Sequence, residues 1–472
     1  MSKISWKNEV DKRKAEIISE TRKFLQIPSV LDERSAGPGH PFGMSIQDAL
    51  TFLLKKGEEC NFSVKNLDGY AGYIEFGQGE ESVGILCHID VVPEGEGWSS
   101  PPYAADIIDD KIVARGAIDD KGPTMAAYYA MRIVKDLGIP LSKRVRMIIG
   151  TDEESTWQCV DHYFKHEEMP TVGFAPDADF PIIYAEKGIC DIKLEFKANE
   201  ETQGTLPYLI RFQSGRRLNM VPDEATATVE LAAGSEIKLK KQFNQFLKAN
   251  NLEGLTTEDK NQFTFVVKGK SAHGMEPKLG INAGVYLSQF LQKLLPDGEA
   301  KQFVDFITAY LYIDSRGHRL GIAYSDEITG ELTVNCGLIS YEVGQGGSVG
   351  LNIRYPVTKK GEEMIEQLQL VAKEHHLSLQ LLDHSKPHHV DKEHSLIQAL
   401  SKVYEDQTGE KAELLSIGGG TYARSLEAGV AFGPLFPGRE DVAHQKDEYI
   451  LIDDLLKMTA IYAQAIYELA KA

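Results

Sequence analysis

The sequence predicts an α/β protein in which a domain with a mostly parallel central sheet, flanked by helices, is interrupted by an inserted α+β domain. The chain has 472 residues, which is too long for one hydrophobic core. From residue 83, short apolar runs alternate with longer amphipathic stretches, and this pattern returns after about residue 390. The intervening segment has instead the alternating polarity of half-buried strands.

Four segments of the first part justify the parallel sheet. Three contain apolar strand runs, and the second has the spacing of an amphipathic helix: "SVGILCHIDVV", "GPTMAAYYAMRIVKDLG", "RVRMIIGTDEES" and "VGFAPDADF". Pro123 suits the first turn of that helix, and Gly138 with Pro140 ends it. Strands separated by helices favour parallel pairing, and ligands bind beyond the carboxyl ends of such strands.

The middle of the chain has a different pattern. Strand-like segments such as "CDIKLEFKA" and "ATATVELAA" are mixed with helical ones such as "EEMIEQLQLVAKEHH". This mixture predicts an α+β lid of two halves that are similar in outline. We expect one domain formed by residues 1–187 and 386–472, and a lid formed by residues 188–385.

The charge balance restricts the partners. The formal net charge is −19, which disfavours nucleic acid and anionic membranes. The first segment is charged throughout and lacks the apolar core of a signal peptide, and no apolar run reaches the length of a membrane span. We therefore expect a cytoplasmic protein. The five scattered cysteines include no C-x-x-C pair, which argues against a disulfide framework or a thiolate zinc site.

Polar clusters occur where the predicted strands end, in "HID", "AIDDKGP", "TDEES" and "APDAD", and a fifth, "VAHQKDE", lies near the end of the chain. Imidazoles and carboxylates without thiolates are the donors that one or two divalent cations require. The candidate residues are His88, Asp90, Asp119, Asp120, Glu153, Glu154, Asp177, Asp179 and His444.

Each of these clusters is a weak signal alone. A second His-x-Asp triplet, His389 with Asp391, lies in a polar stretch typical of a solvated junction. Other Asp-Asp pairs, such as Asp453 with Asp454, fit a turn or an exposed helix face. The order of the five clusters along the chain is more specific than any one of them.

In that order the segments "HIDVVPEGEGW", "GAIDDKGPTMAA", "GTDEE", "APDADFP", "SAHG" and the late histidine resemble the co-catalytic zinc metallopeptidase family. That family includes carnosinases, aminoacylases, carboxypeptidase G and succinyl-diaminopimelate desuccinylase. The resemblance covers nearly the whole chain. "LNMVPDEATATVEL", "GLNIRYP" and "SIGGGTYAR" are most similar to its bacterial peptidase V branch, dipeptidases that cleave Xaa-His and related dipeptides. The double-sized lid of that branch mimics a dimerisation domain, which implies a monomer.

The resemblance implies a site for two divalent metal ions. His88 and Asp177 would bind one ion, Glu154 and His444 the other, and Asp119 would bridge both. A cis peptide between Asp119 and Asp120 is also implied. Zinc is the expected metal, and manganese and cobalt are alternatives, because three carboxylates and two imidazoles do not select one ion.

The resemblance also assigns the proton chemistry. Glu153 would be the general base that activates a metal-bridging water, and Asp90 would be the carboxylate that holds His88 in the required tautomer. Two cations about 3.5–4 Å apart can share and acidify such a water. An unligated carboxylate can then pass the proton to the leaving amine.

The lid would supply substrate-binding groups. By resemblance His273 would donate to the oxyanion, with Asn219 nearby, and Arg354 would bind the peptide carboxylate together with Gly420 and Thr421. Ordinary structural roles also fit these residues: a histidine beside a turn, a strand-end arginine in a salt bridge, and a flexible glycine loop.

The sequence thus predicts a metal-dependent dipeptidase that acts on unblocked dipeptides, including Xaa-His and β-Ala-His. N-acyl amino acid deacylation and tripeptide cleavage use the same metal site and remain alternatives. A non-catalytic, metal-bound peptide-binding protein is the alternative of a different class. The retention of Glu153 beside Glu154 argues against it, because binding alone needs no free base.

Overall fold

The computed structural model describes residues 4–198 and 206–471. The chain divides into two compact units. The first consists of Met1–Tyr184, His389–Ser416 and Thr421–Ala472, and the second consists of Ala185–His388 and Ile417–Gly420. Each unit has its own hydrophobic core.

The helices are distributed over both units. In chain order they are α1 (Trp6–Asp11), α2 (Lys14–Leu25), α3 (Met44–Glu59), α4 (Lys121–Asp136), α5 (Gln158–His166), α6 (Glu236–Ala249), α7 (Ala283–Leu294), α8 (Glu299–Leu311), α9 (Gly361–Glu374), α10 (Ser395–Thr408) and α11 (Ile452–Ala470). Short 3-10 helices lie at Glu33–Ser35, Pro277–Leu279 and Tyr422–Ser425.

The strands, in chain order, are β1 (Ser63–Leu67), β2 (Ala71–Phe76), β3 (Ser82–His88), β4 (Asp106–Ile108), β5 (Lys111–Val113), β6 (Arg144–Gly150), β7 (Val172–Ala175), β8 (Ala178–Asp179), β9 (Ile182–Glu186), β10 (Gly188–Lys197), β11 (Tyr208–Ser214), β12 (Glu224–Glu230), β13 (Glu253–Asp259), β14 (Gln262–Lys268), β15 (Ser325–Asp326), β16 (Gly330–Glu331), β17 (Thr333–Glu342), β18 (Gly346–Tyr355), β19 (Ser378–Ser385), β20 (His388–His389), β21 (Leu414–Ile417), β22 (Gly429–Ala431), β23 (Pro434–Leu435) and β24 (Tyr449–Leu451).

The main sheet of the first unit has the order β1-β2-β6-β3-β7-β22-β9-β20, with β21 paired to β9. Its centre, β6-β3-β7-β22, is parallel, whereas β1 and β2 are antiparallel additions at one side. Every residue of β3 and β7 is buried, which is why both read as continuous apolar runs. The predicted α/β class with a mostly parallel central sheet is confirmed.

Two helices fill much of the first core. All residues of α4 are buried except Arg132, Lys135 and Asp136, and α11 is buried along most of its length. A helix that is apolar or small on nearly all sides belongs in the interior of a large domain. The buried N-terminus of α4 begins directly after Asp120, so the polar "DD" cluster lies at the edge of this core.

The second unit contains an eight-stranded sheet with the order β13-β14-β12-β11-β17-β18-β10-β19. All of its neighbouring strands are antiparallel. The pairing of β11 with β17 makes the two halves one continuous sheet. Helices α6 to α9 contribute buried residues to the core of this unit.

The segment Ile417–Gly420 differs from the predicted division, which assigns it to the first domain. It belongs to the second unit. The backbone N–H of Lys187 donates to the carbonyl of Ile417 at 3.1 Å, and Arg354 Nη1 donates to the carbonyl of Gly418 at 3.3 Å. These bonds attach the segment to Lys187, which precedes β10, and to β18 of the inserted unit.

None of the helices in residues 4–198 and 206–471 combines the length and the apolar character that a membrane crossing requires.

Candidate metal centre

The parallel strands bring three of the predicted clusters to one edge of the sheet. His88 is the last residue of β3 and lies opposite Gly150, the last residue of β6. Asp177 follows the end of β7, and β7 pairs with β3 on its other side. Because parallel strands end at the same edge, the residues after β3, β6 and β7 converge there.

His88 lies completely buried at the centre of this cluster. Its Nε2 atom lies 3.0 Å from Asp119 Oδ1 and 3.5 Å from Asp177 Oδ1. Its Nδ1 atom lies 3.0 Å from the backbone carbonyl of Asp90. A carbonyl can only accept, so Nδ1 carries a proton and, in the neutral ring, the Nε2 lone pair faces the two carboxylates.

Asp119 joins the two halves of the cluster. Its Oδ1 faces His88 Nε2 at 3.0 Å, and its Oδ2 faces His444 Nε2, also at 3.0 Å. His444 Nε2 in turn lies 2.9 Å from Glu154 Oε1. The peptide bond between Asp119 and Asp120 is cis, which confirms that prediction.

The donor atoms form two sets, each compact enough for one ion. His88, Glu153 and Asp177 make one set, and Asp119, Glu154 and His444 make the other, with the donor atoms of a set within 4.8 Å of one another. The structure therefore brings together all five predicted ligands. It also places the carboxylate of Glu153 beside His88 and Asp177, within the first set. The prediction assigned Glu153 as a base that binds no metal, and this position would also allow it to be a ligand.

The carboxylate of Asp90 differs from its predicted contact. It lies 3.5 Å from His88 Nδ1, which bonds to the Asp90 backbone carbonyl instead. Its Oδ1 accepts the backbone N–H of Glu153 at 3.1 Å, and its Oδ2 accepts that of Glu154 at 3.0 Å. Asp90 thus anchors the two glutamates by their backbone, while its own backbone fixes the imidazole.

Asp152 shapes the loop that carries the two glutamates. Its carboxylate accepts from the backbone N–H groups of Thr156 and Gln158 and from the Thr156 hydroxyl. The side chain is 1% exposed. The first acidic residue of "DEE" therefore folds the turn back onto itself, and the next two remain available for the site.

The cluster is electrostatically suited to cations. Burial raises the pKa of Asp177 to about 6 and also raises the pKa of Glu153 and of Glu154. The negative charges of the neighbouring carboxylates raise these pKa values further. Hydrogen bonds to Asp119 and Glu154 raise the pKa of His444 to about 10. Burial opposes protonation of His88, but Asp177 and Asp119 outweigh it and raise its pKa well above the ordinary value.

These residues fit divalent cations. Four carboxylates and two imidazoles are hard or borderline donors, and no thiolate is among them. The Nε2 lone pair of neutral His88 points at Asp119 and Asp177, an arrangement that is repulsive unless positive charge lies between these atoms. The backbone bond to Nδ1 fixes the tautomer that a metal ligand needs.

Glu448 is a residue that the sequence reasoning missed. It is fully buried and accepts the backbone N–H groups of Gly116, Ile118 and Asp119, at 3.1, 2.9 and 3.2 Å. It also accepts from Arg115 Nη1 at 2.6 Å. It holds the backbone of the loop that presents Asp119. No local pattern distinguishes this glutamate from its neighbours in "QKDEY", because its partners lie more than 300 residues away.

Tyr422 was also missed. Its ring packs edge-on against His88, with the ring centroids 6.1 Å apart, and against Trp157 at 5.4 Å. Its hydroxyl lies 2.9 Å from Cys159 Sγ, and it is completely buried. A Cβ atom at Gly150 would lie 1.8 Å from that hydroxyl, so the tyrosine fits only because β6 ends in glycine.

The second unit brings His273 and Asn219 together. The segments pair at Met220 and His273, and the Gly274 N–H donates to the Asn219 carbonyl at 2.7 Å. The backbone N–H of Met275 donates to His273 Nδ1 at 3.1 Å. Burial and Arg354 lower the pKa of His273. The neutral ring therefore carries its proton on Nε2, the form that can donate to a negative oxygen.

Arg354 lies on β18 of the same unit and is buried. Its Nε donates to Asn352 Oδ1 at 2.9 Å, and Asn352 in turn donates to Asp191 on β10. Gly420 belongs to this unit, whereas Thr421 belongs to the first, where its hydroxyl accepts the Ala423 N–H at 3.3 Å. The predicted substrate-binding residues are thus divided between the two units.

The fold and the site define a class. A group of carboxylates and imidazoles that surrounds a buried histidine at the carboxyl ends of parallel strands, in an α/β domain with a long inserted unit, is typical of a metal-dependent hydrolase.

The sequence comparisons give the family. Residues 84–468 match the sequence model of Peptidase family M20/M25/M40. The chain is 55% identical over 468 residues to "Putative dipeptidase YtjP" of Bacillus subtilis, covering 99% of this chain and 100% of that protein. It is 43% identical over 465 residues to "Putative dipeptidase SH1171" of Staphylococcus haemolyticus, covering 98% and 99%. The chain belongs to Peptidase family M20/M25/M40 and is a hydrolase that acts on peptide bonds.

Solved structures share the fold at low sequence identity. Human carnosine dipeptidase 1 matches with a TM-score of 0.56 and 13% identity, covering 98% of both chains. Aminoacylhistidine dipeptidase from Vibrio alginolyticus matches with a TM-score of 0.57 and 14% identity, covering 94% of this chain and 95% of that one. They confirm the predicted fold class, an α/β domain with a mostly parallel sheet and an inserted α+β domain.

Proposed function

We propose that this protein is a metal-dependent dipeptidase that hydrolyses unblocked dipeptides, including Xaa-His and β-Ala-His. The observation that carries the proposal is the placement of Asp119, whose two carboxylate oxygens face His88 and His444 at 3.0 Å each. The names of the curated relatives support the choice of dipeptides among peptide substrates.

In this proposal His88 and Asp177 hold one cation, Glu154 and His444 hold the other, and Asp119 serves both. Zinc is the expected metal, with manganese or cobalt as alternatives, because these donors suit all three. When bound, the pair of cations would supply Lewis-acid activation of a water and of the scissile carbonyl.

Glu153 would take a proton from the attacking water and deliver it to the leaving amine. Burial and the neighbouring Asp177 raise its pKa, which suits a group that both accepts and releases a proton. Asp90 supports this role because its carboxylate fixes the backbone of Glu153 and that of Glu154 at the same time. Two adjacent side chains can thereby have different tasks without moving relative to each other.

The second unit would bind the substrate. The Nε2–H of neutral His273 is a donor for the oxyanion, and Asn219 lies on the neighbouring segment. Arg354 is held by Asn352 and is suited to a peptide carboxylate. Gly420 and Thr421 would bind the same end of the peptide through backbone amides. We further propose a cytoplasmic monomer.

The test is a substrate and metal panel. Full-length protein is stripped with a chelator, restored with Zn²⁺, Mn²⁺ or Co²⁺ singly, and assayed against carnosine, other dipeptides, tripeptides and N-acyl amino acids. We expect metal-dependent cleavage of dipeptides in preference to the other classes. Preferential cleavage of N-acyl amino acids or of tripeptides would show that dipeptides are not the preferred substrates. The lack of any metal-dependent dipeptide cleavage would refute the proposed dipeptidase activity.

A further inference from the structure

His444 reaches the candidate metal centre on a turn with unusual backbone. His444 and Asp447 both have left-handed backbone conformations, with φ of 62° and 57°. Such values are uncommon in residues other than glycine, and they persist where the surrounding structure fixes the chain. The His444 side chain is 53% exposed, so packing does little to orient it. The backbone of this turn therefore sets where the imidazole lies.

Asp447 attaches the turn to the loop that follows β3. Its Oδ1 accepts the backbone N–H of Ser99 at 2.7 Å, and its Oδ2 accepts the Ser99 hydroxyl at 3.0 Å. The two residues are 348 positions apart in the sequence. Because both oxygens of the carboxylate bind one residue, the contact fixes the direction of the turn as well as its distance from the loop.

Glu448 attaches the next position of the chain to the loop that presents Asp119. Besides the side-chain bonds described above, its backbone carbonyl accepts the N–H of Ala114 at 3.0 Å. Asp119 Oδ2 and His444 Nε2 lie 3.0 Å apart. Glu448 therefore joins the two backbone segments that carry these facing side chains.

Glu94 links the two attachments. Its backbone carbonyl accepts from Trp98 Nε1 at 2.8 Å and from Arg115 Nη2 at 3.3 Å. Trp98 directly precedes Ser99. Arg115 also donates to Glu448 through Nη1 at 2.6 Å. The two loops that hold the turn are thereby bonded to each other, and all of these residues belong to the first unit.

We propose that Asp447, together with Glu448, is a positioning residue that holds His444 opposite Asp119 and Glu154 before a cation binds. The proposal rests on the two-cation centre of the proposed function, and it adds the residues that preform one half of that centre. A ligand that is already in place loses less conformational entropy when the cation binds. The affinity of this half should therefore depend on the bonds of the turn.

The other half of the centre is an internal reference. His88 ends β3, and Glu153 and Asp177 follow the ends of β6 and β7. Their positions depend on the parallel sheet rather than on the turn. Loss of the Asp447 carboxylate should therefore weaken the binding of one cation and leave the binding of the other unchanged.

The test compares Asp447→Ala with Asp447→Asn. Full-length protein is stripped with a chelator and titrated with Zn²⁺ in competition with a chromophoric chelator, which reports the affinity of each binding step. Alanine removes both bonds to Ser99, so we expect one of the two steps to weaken by about 10–100-fold, the usual effect of losing a group that supports a ligand. Asparagine keeps an acceptor for the Ser99 N–H and suits left-handed backbone, so both steps should stay within about threefold.

The asparagine variant separates position from charge. Both substitutions remove the negative charge of Asp447, but only alanine removes its bonds to Ser99. Equal weakening of zinc binding in the two variants would overturn the positioning role, because loss of attraction between the charge and the cation would then explain the whole effect.

Asp391→Ala is the matched control. Asp391 is an exposed aspartate of the first unit, and its Oδ1 accepts the backbone N–H of Glu393 at 2.8 Å. Its loss should leave both zinc-binding steps unchanged. Glu448→Gln should weaken the same step as Asp447→Ala. Because Glu448 is buried and its loss also lowers stability, the variants of the partly exposed Asp447 keep the proposal testable in a folded protein.

The outcomes separate the positioning role from a general structural one. One weakened step in Asp447→Ala, with an unchanged urea midpoint and with both steps retained in Asp447→Asn and Asp391→Ala, supports the proposal. Two unchanged steps in Asp447→Ala, or equal weakening of both, overturn it. Hydrolysis of carnosine by the unaltered, metal-loaded protein is measured in parallel. Lack of hydrolysis by a protein that binds two cations would refute the proposed activity and not the role of Asp447.

Discussion

Glu153 and Glu154 are neighbours in sequence, and Asp90 binds the backbone N–H of both, but their carboxylates have different surroundings. Glu154 Oε1 lies 2.9 Å from His444 Nε2. The Glu153 carboxylate lies instead with His88 and Asp177. The difference follows from the loop that Asp152 folds, because successive side chains on a tight turn point in different directions.

The first prediction concerns Glu153. Replacement with Gln keeps the size of the side chain and removes its basicity, so we expect dipeptide turnover to fall by about 10²–10⁴-fold, the contribution of a general base. The metal content, measured by atomic emission, should remain that of the unaltered protein. Glu154→Gln is the matched control, and it should lose metal together with activity.

A Glu153→Gln protein that loses metal would show that this carboxylate is a ligand in the first set, as its proximity to His88 and Asp177 allows. An active Glu153→Gln protein would remove the residue from the proton transfer altogether.

The second prediction concerns Glu448. Its replacement with Gln leaves the buried Arg115 without its charge partner and weakens the bonds to the loop before α4. Breaking a buried ion pair typically costs about 3–5 kcal/mol, so we expect a loss of this size in the free energy of unfolding. Urea denaturation followed by circular dichroism measures it.

The control for Glu448 is Asp454→Asn. The Arg439–Asp454 pair has similar N–O distances, but the Arg439 side chain is 47% exposed. Asp454 itself is buried, but solvent screens its half-exposed partner, so this substitution should cost clearly less stability than Glu448→Gln. Equal losses in the two variants would contradict the structural role of Glu448.

The candidate ligands could be predicted because four of them lie near a strand end or helix start with recognisable polarity, and because the order of the clusters, including the late His444, carries the resemblance to the family. Asp90 and Glu448 act through backbone N–H groups of distant residues, and such bonds leave no trace in side-chain patterns. The role of Asp90 toward the glutamates and the existence of the Glu448 anchor therefore required the structure.

At the scale of helices and strands, the end of β6 is tightly constrained. Tyr422, at the start of a 3-10 helix, occupies the space that a side chain at Gly150 would need. A new Cβ would lie 1.8 Å from the Tyr422 hydroxyl and 2.7 Å from its Cζ. Either the tyrosine ring or the strand end must move, and the ring packs on His88.

The third prediction follows from this contact. We expect Gly150→Ala to destabilise the protein by at least about 2 kcal/mol, as overpacking of a buried site does, and to reduce metal affinity. Thermal unfolding and metal titration measure the two effects. Tyr422→Phe removes the nearest clashing atom, so the double variant should lose less stability than the sum of the single variants.

Gly419→Ala is the control for the loss of a glycine, because the nearest atom to its Cβ, Ile417 Cδ1, lies 3.9 Å away. It should leave stability within about 0.5 kcal/mol. Strict additivity of Gly150→Ala and Tyr422→Phe would show that the two residues do not compete for the same space.

The sequence predicted the parallel strands well, because β3 and β7 are buried on both faces and are continuous apolar runs. It predicted the inserted unit less completely. The pairing of β11 with β17, which makes one eight-stranded sheet, joins residues more than 100 positions apart. The attachment of Ile417–Gly420 to that unit also depends on distant bonds, from Lys187 and Arg354.

Across the entire chain, the candidate ligands come from both sides of the insertion. His88, Asp119, Glu154 and Asp177 precede it, and His444 follows it, yet all five belong to the first unit. Cations bound there would join the two chain segments of that unit. The metals should therefore stabilise the first unit selectively, because they bind its folded form and none of their ligands lies in the second.

The fourth prediction is that removal of the metals lowers the stability of the first unit alone. A ligand at about 100 times its Kd stabilises the folded form by about 2.7 kcal/mol, so chelation should increase hydrogen exchange in α4 and β3 by up to about 100-fold. Exchange in β12 and β14 of the second unit should not change. The His444→Ala variant should show the fast exchange even with metal present, because the later segment has lost its ligand. Equal loss of protection in both units would mean that the chain unfolds as one cooperative body, and unchanged protection in α4 would mean that these residues hold no stabilising metal.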